Sequence, residues 1–193
     1  MSHYFSETET ERTNPVKYSY IFRDTTYEFI TDSGVFSYGK MDKATDMLIR
    51  QIPHLEGTLL DMGCGCGCLG IVLAKEYGLT LTQADVNPRA LRLTKENAAL
   101  NNVSSAVTES NAYSKIEGTF DNIVTNPPIH AGKDVVFSFY EGAYRHLNQK
   151  GSLYVVIAKK HGASSTIKYI KELFANCEII HKKGGCYVLH ASR

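Results

Sequence analysis

Leu60-Asp61-Met62-Gly63-Cys64-Gly65-Cys66-Gly67-Cys68-Leu69-Gly70 decides the fold of this chain. A short apolar run at 59–61 reads as a buried strand, and the alternating glycines after it read as a turn. Leu69, Ile71, Val72 and Leu73 then open a helix that fades at Tyr77-Gly78. That is one β-α unit, and the pattern repeats. Residues 79–84 form the next strand, ending at Asp85. Asn87-Pro88 starts a helix running to Asn101-Asn102, with Asn87 suited to cap it and Pro88 to its first turn. Strands are expected at 105–109 and 120–125, the second halted by Pro127-Pro128. A helix at 134–147, a strong β run at 153–158 and a helix at 165–174 follow. Two last runs, 177–181 and 187–190, flank Lys182-Lys183-Gly184-Gly185, a hairpin signal.

Repeating β-α units predict an α/β, doubly wound, mostly parallel sheet of seven strands with a C-terminal antiparallel hairpin. The chain has 193 residues and 43% hydrophobic content, which suits one domain spanning 1–193. Residues 1–50 read as an N-terminal cap or lid with a first helix, and 57–193 as the binding core. Neither a signal peptide nor a bilayer-spanning run is visible, so a cytoplasmic protein is expected. The formal charge of +1 gives no overall nucleic-acid signature. The local basic stretches, among them Lys159-Lys160-His161 and Lys182-Lys183, permit at most a small positive face.

Five cysteines, an odd number, argue against a disulfide framework. Cys64, Cys66 and Cys68 are spaced too closely for ordinary structural zinc and lack a second ligand pair. No metal is expected. Small side chains suit a turn where backbone and ligand come close.

In a doubly wound sheet, ligands sit at the carboxyl ends of the strands near the switch point. Asp61, Asp85, Asn111 and Asn126 all fall at or just past expected strand ends, so one crevice should hold them. The glycines let the backbone approach a ligand without a Cβ in the way. Asp61, ahead of them, is placed to meet a cationic group such as the methionine end of S-adenosylmethionine (SAM). Asp85 can accept both hydroxyls of a ribose. Asn111 would face an adenine, or is an ordinary turn asparagine. Gly63, Cys64, Gly65, Gly67, Val86 and Ala112 complete the expected cofactor contacts. Gly65-Cys66-Gly67-Cys68-Leu69-Gly70 also matches a dinucleotide fingerprint. Asp61 would repel a pyrophosphate, however, and that reading leaves Asn126-Pro127-Pro128 without a role.

Asn126-Pro127-Pro128 suits methylation of a nitrogen whose lone pair is delocalised. A side-chain amide oxygen and the Pro127 carbonyl can each accept one N–H of a planar amine, orienting it as charge develops. Two prolines stiffen the loop before substrate arrives. Asn126, Pro127 and Pro128 are therefore the candidate catalytic residues, and Asn126 also borders the cofactor. Ile129, His130 and Lys133 follow as candidate substrate contacts, His130 and Lys133 reading equally well as solvated loop and helix-start residues. The combined motifs point to a SAM-dependent N-methyltransferase.

The chain resembles the small-domain methyltransferases typified by the bacterial 16S ribosomal RNA guanine-N2 methyltransferases. The resemblance runs through His3-Tyr4-Phe5-Ser6-Glu7, Thr31-Asp32-Ser33-Gly34-Val35-Phe36-Ser37, Asp42-Lys43, the glycine turn, Asp85-Val86-Asn87, Phe120-Asp121-Asn122-Ile123-Val124-Thr125-Asn126-Pro127-Pro128 and His130-Ala131-Gly132-Lys133. It implies that Phe36 and its neighbours close over cofactor or substrate, whereas an aromatic between Val35 and Tyr38 would otherwise read as core. It also implies a guanine amine in ribosomal RNA, free or in the small subunit, as methyl acceptor.

Three departures stand out. Asn111 replaces the family's frequent aspartate. Ile129 replaces the frequent aromatic after Asn-Pro-Pro, removing a stacking surface for a flipped base. Finally, the well-known enzymes carry a second, degenerate copy of the domain, so RNA docking is expected to fall to this chain's own surface or to a partner. Methylation of adenine or of a protein glutamine amide, or SAM or RNA binding without catalysis, remain alternatives on the same residues.

Overall fold

The structure, a computed structural model, describes residues 14–193; the His3-Tyr4-Phe5-Ser6-Glu7 stretch lies outside the described residues. The core is a seven-stranded sheet: β3 (Thr58–Met62), β4 (Thr80–Asp85), β5 (Ser105–Glu109), β6 (Phe120–Thr125), β7 (Leu147–Ala158), β8 (Glu178–Lys183) and β9 (Cys186–Ser192). Its order is β5-β4-β3-β6-β7-β9-β8. The first five strands are parallel, and β9 runs antiparallel to both β7 and β8. Strand order reverses between β3 and β6, which is the switch point of a doubly wound sheet.

Alternation along the strands sends side chains to opposite faces. On one face Leu59, Val124, Tyr154 and Val156 pack beneath α1 (Lys43–Gln51), α2 (Cys68–Tyr77) and α3 (Pro88–Leu100). On the other, Leu60, Ile123, Leu153 and Val155 pack against α4 (Lys133–His146) and α5 (Ala163–Phe174). Both faces are covered, so burial helps to specify the register of the central strands. The helices begin as the sequence predicts: Asn87 Oδ1 accepts from the Arg89 and Ala90 N–H groups and Pro88 fills the first turn of α3. β7 starts at Leu147, six residues ahead of the expected run, directly at the end of α4.

The 1–50 region holds an element that the sequence reading did not resolve. β1 (Val16–Phe22) and β2 (Thr25–Thr31) form a separate antiparallel hairpin. Its turn is Arg23-Asp24, with Arg23 at φ 53°. A two-residue hairpin turn ordinarily carries glycine or asparagine at positive φ, so its usual signal is missing here. The hairpin docks on α3 through two asparagines one turn apart. Asn97 accepts from Ile30 N and donates to Ile30 O, at 2.7 and 2.9 Å. Asn101 does the same with Glu28, at 3.1 and 2.8 Å. Two side-chain amides thus stand in for a neighbouring strand and satisfy the edge of β2.

Candidate functional site

A cavity of about 610 Å³ opens along the carboxyl ends of β3, β4, β5 and β6. Asp61, Gly63, Cys64, Gly65, Asp85, Val86, Asn111, Ala112, Asn126, Pro127, Pro128, Ile129, His130 and Phe36 all line it. Gly67 and Lys133 do not. Gly67 caps α2 at φ 86°, and a Cβ there would press on Thr94, Gln83 and Ile71 at 3.0–3.1 Å. Its role is to bring loop and α3 into close contact. Lys133, the exposed first residue of α4, sets its ammonium 4.9 Å from the Phe137 ring centroid.

At one end of the cavity stand two carboxylates. Asp61, only 1% exposed, accepts from Gly70 N (2.9 Å) and Gln83 Nε2 (3.1 Å), both through Oδ2. Among the described residues none donates to Oδ1. Gly70 leaves no room for a side chain: a Cβ would lie 2.9 Å from Asp61 Oδ2. Burial pushes the Asp61 carboxyl up to about 7, against the pull of its two donors and with a further push from Asp85. Asp85 accepts from Gly65 N and Asn87 N, each at 2.9 Å. It therefore ties the glycine turn to the start of α3, leaving further lone pairs for a ligand. Beyond Gly65 a Cβ would meet nothing within 4 Å, so the turn borders open space. Cys64 is buried, with Sγ 3.6 Å from Thr94 Oγ1, whereas the Cys66 and Cys68 sulfurs lie 3.4 Å from each other. Burial pushes the Cys64 thiol well up, so it lines the cavity as a neutral group.

At the other end stands Asn126. Its Nδ2 donates to Asp42 Oδ2 (3.2 Å) and Thr45 Oγ1 (3.0 Å), both from the first turn of α1. A carboxylate accepts and never donates, so this contact fixes which way the amide points. Among the described residues none donates to Asn126 Oδ1. Asp42 is also the N-cap of α1, accepting from Ala44 N, Thr45 N and Thr45 Oγ1. Sequence reading missed Asp42 and Thr45 as parts of the site, since they lie more than 80 positions from Asn126. In the sequence, Asp42-Lys43 carries only the family resemblance, with no role at the site attached to it.

The Pro127 carbonyl accepts from Ile129 N at 2.9 Å and the Pro128 carbonyl from Ala131 N at 2.9 Å. The Asn-Pro-Pro segment is therefore braced into a short 3₁₀ turn, Ile129–Ala131. One Pro127 lone pair is spent on that brace and one remains. Phe36 is 58% exposed, so it does not belong to the core; residues 34–37 reach the cavity as a strap. The strap is rooted by a buried ion pair, Asp32 with Arg89, at 3.0 Å. Lys160 and His161, in a second 3₁₀ turn after β7, also line the cavity, as does Lys43.

Residues 26–190 match the methyltransferase small domain family. The chain is 39% identical over 197 residues to the Bacillus subtilis (strain 168) protein described as uncharacterized protein YbxB, covering 99% of this chain and 98% of that one. It is 40% identical over 138 residues to ribosomal RNA small subunit methyltransferase C of Aeromonas hydrophila, covering 69% of this chain and 40% of that protein. Among solved structures, the T. thermophilus 16S rRNA N2 methyltransferase in complex with AdoMet and guanosine superposes with a TM-score of 0.83. The match is 24% identical and covers 93% of this chain and 50% of that one. The chain thus spans half or less of the length of these two methyltransferases.

Proposed function

The chain belongs to the methyltransferase small domain family, and from that premise we propose that it methylates an exocyclic amino group of a nucleobase, guanine N2 in ribosomal RNA being the favoured acceptor. The observation that carries this reading is the Asn126 amide. Asp42 and Thr45 hold its NH₂, so its carbonyl oxygen is the group left for an acceptor N–H. The ribosomal RNA acceptor is supported by the names of the relatives above, methyltransferase C and the N2 enzyme seen with guanosine.

SAM, the cofactor, supplies an electrophilic methyl on a sulfonium. The carboxylate end of the cavity suits its charge: Asp61 has a free oxygen for an ammonium, and Asp85 has lone pairs for ribose hydroxyls. Gly63, Cys64 and Gly65 give the ligand a small-residue wall. Val86, Asn111 and Ala112 line the cavity beside these carboxylates, and the reading assigns the adenine to them. At the other end, Asn126 Oδ1 and the remaining Pro127 lone pair accept the two N–H bonds of a planar amine. That aims its nitrogen at the methyl group and offsets the positive charge that grows as the N–C bond forms and the C–S bond breaks. The alkylated nitrogen is acidic and loses its proton to water, so no strong base is needed. Pro128 holds the loop. Ile129, His130 and Phe36 border the acceptor.

The test is transfer of a radiolabelled methyl group from SAM to ribosomal subunits, bulk RNA, DNA and cell protein in parallel. Label in methylguanine of ribosomal RNA is expected. Label in methyladenine or methylglutamine would replace the acceptor. No transfer to any of them, with SAM still bound, would sink the reading.

A further inference from the structure

The cavity is electrically polarised. Its lining carboxylates are Asp61 and Asp85 at the cofactor end, plus Asp42, whose Oδ2 already takes four donors. The opposite rim carries Lys43, His130, Lys160 and His161. The His130 and His161 rings meet edge-on with centroids 6.0 Å apart, which joins the turn after Pro128 to the turn after β7. Among the described residues none of these four side chains is ion-paired to a carboxylate.

A second feature has the same sign. α4 and α5 both begin at this rim, behind Gly132 and Gly162, and neither has a side-chain cap. Their first-turn N–H groups add partial positive charge beside the histidines, offset at α4 by Asp134 in its first turn and not at α5. At neutral pH the rim's formal charge is that of Lys43 and Lys160, because burial and the neighbouring Lys160 hold the His161 imidazole below its ordinary range, so His161 serves as a neutral donor.

We propose that the rim made by His130, Lys160 and His161 holds the phosphodiester backbone of the polynucleotide that carries the acceptor base. The inference rests on the amine-methylation reading above. A base held at Asn126 has its own ribose phosphate within one nucleotide's reach, and His130 follows Asn126 by a single short turn. Lysine supplies charge to a phosphate, and imidazole N–H groups supply directed donors. Every nucleotide in a strand brings a phosphate to this place, whereas a glutamine side chain brings none of its own, so the rim favours a nucleic acid over a protein substrate. With so few cations the contact is small, a phosphate or two, and the salt dependence of binding should be shallow.

The experiment is fluorescence anisotropy of a fluorescein-labelled, guanine-containing single-stranded oligoribonucleotide with the intact protein, titrated at several KCl concentrations. Methyl transfer to the same oligonucleotide and to free guanosine is measured alongside. Lys160→Glu and His161→Ala should each weaken oligonucleotide binding by about tenfold at low salt. Lys160→Glu should also lower the salt slope by roughly 0.7, the value for one single-strand phosphate. SAM affinity should not move. Lys168→Glu, on an exposed lysine of α5 near Glu172, should change nothing. Wild-type affinity and slope in both rim variants would overturn the proposal. So would equal transfer to guanosine and oligonucleotide without salt dependence, although amine methylation would then stand. Salt- and Lys160-dependent binding with no transfer to either acceptor would keep the rim and overturn the methylation reading.

Discussion

The two ends of the cavity are built in different ways. The cofactor end comes from consecutive strand ends, β3, β4 and β5, and is organised by backbone. Its carboxylates grip N–H groups of neighbouring turns, Gly70 for Asp61 and Gly65 with Asn87 for Asp85. The acceptor end comes from the first turn of α1, the loop after β6 and the turn after β7, and is organised by side chains. A backbone-built end is held by the sheet itself. A side-chain-built end depends on single contacts, so single substitutions there should stop chemistry without harming the fold or cofactor binding. On the proposed reading, the contrast makes the cofactor end a matter of pre-formed shape and the acceptor end a matter of aim.

Four substitutions or titrations test that contrast. The largest effect is expected at Asn126→Ala, which should cut turnover by about 100-fold or more while SAM affinity stays nearly intact. Equal losses in turnover and SAM affinity would erase the distinction between the two ends. Asp85→Ala should do the reverse, weakening SAM binding by about 1–3 kcal/mol through lost charged hydrogen bonds and a loosened glycine turn. Calorimetry that finds unchanged affinity would move the ribose site elsewhere.

Thr45→Val keeps the shape of the side chain and removes one acceptor for Asn126 Nδ2. Turnover should fall by roughly tenfold, the scale of one hydrogen bond, with SAM affinity unmoved. Thr45→Ser should restore it, which a purely packing role for Thr45 would not produce. A wild-type rate in Thr45→Val would show that Asp42 alone aims the amide.

The last test concerns pH, where the effect per unit matches that of Thr45→Val. The Asp61 carboxyl sits at about 7 because it is buried. A bound ammonium favours its charged form. SAM affinity should therefore fall as pH drops below 7, by roughly tenfold per unit once the carboxyl is protonated, and Asp61→Asn should flatten that profile. The sign reverses for stability without cofactor. The native state holds this proton more tightly than the unfolded chain does, so the group adds stability as pH falls through 7, fully by about 4. Thermal melts between those values, compared with Asp61→Asn, would check it.

The fold was legible wherever local pattern and burial agree. Strand runs such as 120–125, buried on both faces, and caps such as Asn87-Pro88, are consistent with the sheet on both counts. The hairpin at residues 16–31 was not, because Arg23-Asp24 holds no glycine or asparagine and Asn97 and Asn101 do the work of a paired strand from a distant helix. Gly67 looks in sequence like a ligand contact, as Gly70 does not. In space both serve close packing, of the loop on α3 and of α2 on Asp61.

What the sequence determined by itself is the order of β-α units and the chemical types at each strand end. Both follow from hydrophobic period and turn residues that act over a few positions. Only the tertiary structure decided which way the Asn126 amide faces, because that depends on Asp42 and Thr45 arriving from a helix start more than 80 positions earlier in the chain. It also decided that His130 and His161 share one rim. Hydrogen-bond direction and charge clustering are properties of contacts between remote segments, and no local pattern encodes them.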